Sequence, residues 1–239
     1  PKKRACAMFR FKQFTVCQDR CPMKVGTDAV LLGAWVGVRA TDRRVLDIGT
    51  GTGVIALMLA QRSEARITAI DIDPACAEQA SGNFAASSWG DRLETQCLPV
   101  QQYKPAELFD LIVSNPPYFV DSLRSPDEGR NTARHAVDLT FEELTTAALR
   151  LLAPGGRFAL VLPPAEMQRF KSTSLGRLFP ARWCEICSTP RRGVRRTLAE
   201  FVAEPTLPPS VERLVIENGG PDSYTPEYRQ LTGAFYLKF

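Results

Sequence analysis

Val45-Leu46-Asp47-Ile48-Gly49-Thr50-Gly51-Thr52-Gly53-Val54 reads as a strand that runs into a glycine-rich turn and leaves it as a helix, Val54 to about Arg62. Gly49 and Gly51 let the chain turn sharply and bring bare backbone against a ligand. A dinucleotide fingerprint requires G-x-G-x-x-G. Here the third glycine is Gly53, and Val54 stands where that pattern needs one. The spacing fits instead a nucleoside cofactor with no pyrophosphate to sit on the helix N-terminus.

Downstream, Ile67-Thr68-Ala69-Ile70-Asp71-Ile72-Asp73-Pro74 is a β-rich run that ends in an acid about 20 residues beyond the glycines, where a ribose hydroxyl pair is held. One carboxylate accepts two hydroxyl hydrogen bonds at once, which makes Asp71 the natural partner. Asp73 competes for the role, but Pro74 after it reads as the first turn of a helix with Asp73 as its N-cap. The bland alternative for Asp71 is a solvated strand end.

The third decisive stretch is Phe109-Asp-Leu-Ile-Val-Ser114 followed by Asn115-Pro116-Pro117-Tyr118. Neither proline donates an N–H and each fixes φ near −65°, while Asn115 is pushed to an extended conformation by the proline after it. A side-chain amide, free carbonyls and an aromatic ring are thereby held together at a stiff strand end. That array suits a planar group with an exocyclic amino group. Asn115 Oδ1 and the Pro116 carbonyl accept its two N–H bonds, and Tyr118 stacks on the plane. Alone, Asn-Pro-Pro is equally a plain turn. The glycines and the acid upstream tip the reading.

Asp47-x-Gly49-x-Gly51-x-Gly53, the acid at Asp71 and Asn115-Pro116-Pro117-Tyr118, in that order, resemble the class I S-adenosylmethionine-dependent methyltransferases that act on amino nitrogens, over about residues 24 to 204. The resemblance implies a Rossmann-like α/β fold: a mostly parallel seven-stranded sheet, helices on both faces and an antiparallel edge hairpin. It implies S-adenosyl-L-methionine as cofactor, held by Asp47, Gly49, Gly51, Asp71, Ile72 and Asn115. Catalysis falls to Asn115, Pro116, Pro117 and Tyr118. A narrower resemblance lies at both ends. Phe11-Lys-Gln-Phe14, then Met23-Lys24-Val-Gly-Thr27-Asp28 and the apolar run to Trp35, and the closing Tyr224-Thr-Pro-Glu-Tyr228 to Tyr236 are similar to the bacterial tRNA (adenine-N6)-methyltransferases that modify position 37 of valine tRNA. In related enzymes the Thr27-Asp28 pair packs over the cofactor; from the residues alone it is also a helix N-cap. One position departs from the pattern. After a strand at about Leu93 to Cys97, Pro99 stands where an acid often binds the cofactor adenine, so a backbone group of Leu98 or Val100 is expected to substitute.

At 239 residues and 44% hydrophobic content the chain is globular, with enough length for one core. We expect a single methyltransferase domain over 1–239: an N-terminal basic arm and helix to residue 44, a core over 45–204, and a C-terminal extension over 205–239. No apolar run approaches ~18 residues, which argues against a membrane span. The basic opening leads into Phe9-Arg10-Phe11-Lys12 rather than a signal-peptide core. Seven cysteines, an odd number, read as reduced cytoplasmic thiols. Cys184-x-x-Cys187 raises zinc, but residues three apart on a strand face opposite ways and His135 is the only histidine; no metal is expected. His135 and Arg134 lie in a polar stretch and read as loop residues able to touch substrate, rather than as a hydrolase base.

Net charge is +4, compatible with nucleic acid without requiring it. Its clustering says more. Lys2-Lys3-Arg4, Arg10, Lys12, Arg20 and Lys24 form one basic group, and Arg191-Arg192-x-x-Arg195-Arg196 another. Lys24 and the four arginines are the expected grips on RNA phosphates, with Tyr118 on the base. The arginine cluster alone is equally a solvated loop. The partner that the resemblance implies is tRNA, through an anticodon-loop adenine, and a monomer is expected.

The pattern gives helices at about 28–38, 54–62, 74–87 and 140–152, and strands at 45–50, 66–71, 93–97, 109–114 and 156–162. A hairpin near 182–188 and 196–203 lies at the sheet edge, and Pro205-x-x-Pro208-Pro209 is a rigid connector. Thr140-x-x-Glu143 is a capping box, and Pro154-Gly155-Gly156 ends its helix. Two other readings remain. A glutamine N5-methyltransferase of peptide release factors carries the same Asn-Pro-Pro-Tyr, but the 44 residues before Val45 are expected to be too few for its separate helical domain. A catalytically silent RNA-binding module would keep the fold and has no need of an intact Asn115 turn.

Overall fold

The structure, a computed structural model, describes residues 7–117, 139–220 and 223–238. A two-stranded antiparallel ribbon opens the chain, β1 (Met8–Arg10) and β2 (Thr15–Cys17). Then follow α1 (Thr27–Trp35), β3 (Arg44–Ile48), α2 (Val54–Arg62), β4 (Arg66–Asp71), α3 (Pro74–Ala85), β5 (Leu93–Cys97) and β6 (Phe109–Ser114). The second half holds α4 (Phe141–Leu151), β7 (Leu152–Leu162), α5 (Pro164–Thr173), β8 (Phe179–Cys187), β9 (Val194–Val202), β10 (Val211–Val215) and α6 (Pro226–Thr232).

The main sheet runs β10-β8-β9-β7-β6-β3-β4-β5, with β9 antiparallel to both neighbours and all other pairs parallel. The chain steps outward from β3 through β4 to β5, then returns to place β6 on the other side of β3. The carboxyl ends of β3 and β6 therefore flank a topological switch point, where open α/β sheets bind ligands. The α/β class expected from the sequence holds, with two corrections. The sheet has eight strands, and the β8–β9 hairpin is not its edge, because β10 pairs parallel outside β8 (Val211↔Trp183 to Val215↔Cys187). Only Leu214 of β10 is buried and three prolines precede it, so no strand periodicity was on view. α5 and α6 likewise lie in segments to which the sequence reading assigns no helix.

Each face of the sheet is covered. On one, α1 and α2 pack with Phe84 of α3, Tyr228 of α6 and Phe11, Phe14 and Val16 of the ribbon. On the other, Leu144, Ala148 and Leu151 of α4 and Met167 and Phe170 of α5 cover Leu46, Ile112, Phe158 and Leu160. α1 is buried from Ala29 to Trp35, which explains a helix apolar all round. Its N-cap is Gly26, without a side-chain bond, so Thr27 is the first helical residue rather than the cap. The capping box at Thr140 and Glu143 is present, but α4 passes straight into β7, which takes in Pro154-Gly155-Gly156. The two chain ends meet: Phe11 bridges Tyr236, and Lys12 N–H donates to the Phe235 carbonyl at 2.8 Å. That contact explains why the end segments carry aromatic residues.

Candidate cofactor and substrate site

Gly49 and Gly51 carry positive φ (70° and 55°), a region L side chains rarely adopt, and a Cβ on either would meet no atom within 4 Å. They leave open space above bare backbone. Gly53 differs: at φ 80° it caps α2, and a Cβ there would come within 2.5 Å of Phe84. Gly53 is a packing glycine, whereas Gly49 and Gly51 form the cradle.

The turn is tied to β4. Gly49 and Thr50 N–H donate to the Ile70 carbonyl at 2.9 and 3.1 Å. Gly51 N–H donates to Asp71 Oδ2 at 2.8 Å, and Asp73 N–H to Asp71 Oδ1 at 2.9 Å. Each Asp71 oxygen thus accepts one backbone bond and keeps capacity for another. Burial raises its pKa, against the pull of those N–H groups. Asp73 caps α3 through Oδ1, accepting from Ala75 N–H at 2.8 Å, and this separates it from Asp71 in role. Ile72, beside Asp71, is 45% exposed, an apolar surface at the rim of the turn.

Asp47 lies beneath the turn and is fully buried. Thr50 Oγ1 donates to its Oδ2 at 2.6 Å, while Oδ1 has no hydrogen-bond partner among the described residues. Burial pushes its pKa up to about 7; the Thr50 bond lowers it, the nearby Asp71 charge raises it, and the backbone N–H of Ala56 at the start of α2 lowers it. A buried oxygen without a partner beside an open glycine cradle fits a polar ligand such as S-adenosyl-L-methionine.

Across the switch point, β6 ends in register with β3, Ser114 opposite Ile48. Ser114 is buried, and its hydroxyl donates to the Ile48 carbonyl at 2.9 Å, just ahead of Gly49. Asn115 follows half-buried, Pro116 buried and Pro117 exposed. The candidate amide therefore stands one residue past a strand end locked to the cradle. Tyr118, Arg134 and His135 lie outside the described residues.

Other expected positions fall differently. Thr27 is exposed, and Asp28 turns its carboxylate to β9, where Arg196 Nε donates to Oδ2 at 2.6 Å. Arg196 is thus an ion-pair partner, unlike Arg191, Arg192 and Arg195, which are exposed with no side-chain partner among the described residues. Lys24 is exposed. The Leu98 N–H, expected to be available in place of an acid at Pro99, donates to the Asp71 carbonyl at 3.0 Å. The Val100 carbonyl accepts from Arg150 Nη2 at 2.8 Å. Cys184 and Cys187 are both buried in β8, and among the described residues no three metal-capable side chains cluster. No described helix is long and apolar enough to cross a membrane. Cavity size does not pick out the site: a cleft of about 500 Å³ lined by Trp35, Arg62, Leu214 and Phe235 includes none of these residues. Sequence reasoning missed Ser114; its position directly before Asn115 was the available signal.

A glycine cradle at the switch point, an acid at the next strand end and this strand order define an S-adenosyl-L-methionine-dependent methyltransferase. The fold agrees with a predicted O-methyltransferase from Agrobacterium tumefaciens, 22% identical, with a TM-score of 0.70 over 87% of this chain and 96% of that one. The family model described as methyltransferase small domain matches residues 25–179. Within that breadth, the chain belongs to the family of the tRNA1(Val) (adenine(37)-N6)-methyltransferases. The relative of that name from Bacteroides fragilis is 44% identical over 96% of this chain and 98% of its own length. That from Phocaeicola vulgatus is 46% identical over 96% and 97%.

Proposed function

We propose that the chain transfers a methyl group from S-adenosyl-L-methionine to the exocyclic N6 amino group of an adenine in tRNA, at position 37 of valine tRNA. The observation that carries this reading is Asn115 at the end of β6, locked through Ser114 to the strand that carries the glycine cradle. The chain's near-full-length relatives are named for that reaction.

When bound, the cofactor supplies an electrophilic methyl on a sulfonium. Gly49 and Gly51 would hold its methionine part over bare backbone with Asp47 beneath, Asp71 its ribose, and Ile72 an apolar face, with Thr27 and Asp28 closing over it. An adenine amino group is a poor nucleophile because its lone pair is delocalised into the ring. Asn115 Oδ1 and the Pro116 carbonyl accept its two N–H bonds, which favours a more tetrahedral nitrogen. Tyr118 stacks on the base, and Pro117 stiffens the turn. Positioning and fixed dipoles then supply much of the acceleration, and the proton leaves after attack, so no strong base is needed beforehand. The adenine has to leave its stack, which costs least for an unpaired loop base. Lys24, Arg191, Arg192 and Arg195 hold phosphates around that loop; Arg196 contributes through Asp28. We read the protein as a single-domain cytoplasmic monomer that needs no metal.

The test is incubation with labelled S-adenosyl-L-methionine and, separately, total tRNA, release factor and DNA. Label recovered from tRNA as N6-methyladenosine is the expected result. Label in release factor or DNA instead would overturn the reading.

A further inference from the structure

Asn83 of α3 is 3% exposed, and its carboxamide makes three hydrogen bonds. Nδ2 donates to the Thr52 carbonyl at 2.8 Å, within the glycine turn, and to the Cys17 carbonyl at 2.9 Å. Oδ1 accepts from the Cys17 N–H at 2.8 Å. One side chain thus gives the last residue of β2 both bonds that a neighbouring strand would give it, and it uses its other donor on the turn.

Asn is a mediocre helix former, because its amide competes for backbone partners. Here those partners belong to two other segments, the ribbon and the cradle. The surroundings reinforce the link. Phe84, the next residue, closes on Gly53 so tightly that only glycine fits there. One turn earlier, Gln79 Oε1 accepts the Arg20 N–H at 2.9 Å. The cradle is consequently held from two sides: Asp71 takes the Gly51 N–H, and Asn83 donates to the Thr52 carbonyl.

We propose that Asn83 is a positioning residue for the cofactor turn and couples that turn to the N-terminal ribbon. Cofactor binding and ordering of the ribbon then favour each other, reciprocally and to the same degree. The proposal rests on the reading of the glycine turn as the cofactor cradle.

Asn83→Asp keeps the size and the acceptor for Cys17 N–H but sets an oxygen against two carbonyls. Asn83→Ala removes all three bonds. Titration calorimetry with S-adenosyl-L-methionine on the full chain should show affinity weakened about tenfold or more in both variants. In methyl-transfer assays the loss should fall on KM for the cofactor rather than on kcat. A lowered melting temperature with affinity within twofold of the parent would mean a structural residue only, and would overturn the proposal. The parent supplies a readout that needs no variant. S-adenosylhomocysteine should slow hydrogen exchange of the Cys17 amide together with that of Gly51, and unchanged exchange at Cys17 would overturn the coupling even if neither variant folds. A parent that fails to bind S-adenosylhomocysteine would sink the cradle reading instead, so the two failures are distinguishable.

Discussion

The two ends of the central sheet treat buried charge in opposite ways. Toward the amino ends of the strands, Asp42 and Arg157 form a bidentate pair, with side chains 2% and 4% exposed; Nη1 donates to Oδ1 at 3.1 Å and Nη2 to Oδ2 at 2.7 Å. Arg39 N–H adds a bond to Asp42 at 2.7 Å, and Arg157 reaches the Gly37 carbonyl at 2.8 Å. Next to them Glu200 accepts from Arg182 at 2.8 Å, and Arg182 lies 4.2 Å over the Trp35 ring. The Arg157 guanidinium and the Arg39 N–H hold Asp42 below the usual carboxylate range even though burial pulls the other way. At the carboxyl ends, Asp47 is as deeply buried, yet one oxygen has no partner among the described residues and its pKa is driven up to about 7. The Asp42–Arg157 pair is satisfied without a ligand and Asp47 is not, although at the amino end Arg44 Nε is also buried without a partner among the described residues. A buried charge that is completed by its own chain serves stability, whereas a buried carboxylate oxygen left open beside a glycine cradle is available to a ligand.

The largest effect should come from the satisfied pair. Arg157→Met would leave Asp42 buried without its counter-charge, at a cost of about 3–5 kcal/mol of stability by denaturant unfolding. Combining it with Asp42→Leu should recover much of the loss, because the pair's own desolvation penalty is removed as well. Cofactor affinity of the folded variants should stay near that of the parent. If affinity collapses while stability holds, the division between the two ends is wrong.

Asn115→Ala tests the open end. Losing one preorganised polar contact to the reacting group should cut methyl transfer by about 10²–10³, roughly 2.7–4 kcal/mol on the barrier, with little change in stability or cofactor affinity. Single-turnover rates within a few-fold of the parent would reduce Asn115 to a turn residue.

Asp47 should make the contrast visible as pH dependence. Its folded pKa, about 7, lies above the unfolded value near 3.9, so the folded state binds the extra proton between them. Its contribution to stability is then fullest below about pH 4 and is lost as pH rises through about 7. Asp42, whose folded pKa is lowered, acts with the opposite sign, and its contribution is lost as pH falls. In the ligand-free protein, Asp47→Asn should flatten the decline between pH 4 and 7 and leave the acid-side loss in place. An unchanged profile would show that Asp47 does not titrate in that window.

Much of the open end was legible because its signals are local. Glycines at 49 and 51, the acid at 71, the Asp73-Pro74 cap and the two prolines after Asn115 each fix backbone within a few residues. The strand ends followed from apolar runs, and the mostly parallel sheet with helices on both faces from the alternation of strand and helix. What stayed hidden depends on partners distant in the chain. Asp28 and Arg196 meet across 168 residues, and Asn83 meets Cys17 across 66. No periodicity reports such pairs, so Thr27-Asp28 read as a cap and Arg196 as one more free cation. β10 was lost for a different reason: a strand with one buried side chain has no pattern to show.

The smallest effect per residue concerns the rim, where the cations of the open end differ among themselves. Arg191, Arg192 and Arg195 are exposed without side-chain partners among the described residues, whereas Arg196 is paired to Asp28. If the first three hold RNA phosphates, each replacement by glutamine should lower the log–log salt slope of tRNA binding by about 0.7–0.9, with folding and cofactor affinity retained. Arg196→Gln should behave otherwise. It breaks a half-buried ion pair at the start of α1, so its effect should appear in stability and in the placement of Thr27 and Asp28, and only weakly in the salt slope. Binding measured across a range of salt concentrations in the triple variant and in Arg196→Gln separates the two roles. Equal slope changes for all four would return Arg196 to the phosphate track; no change in the triple variant would move the track to Lys24 and the N-terminal arm.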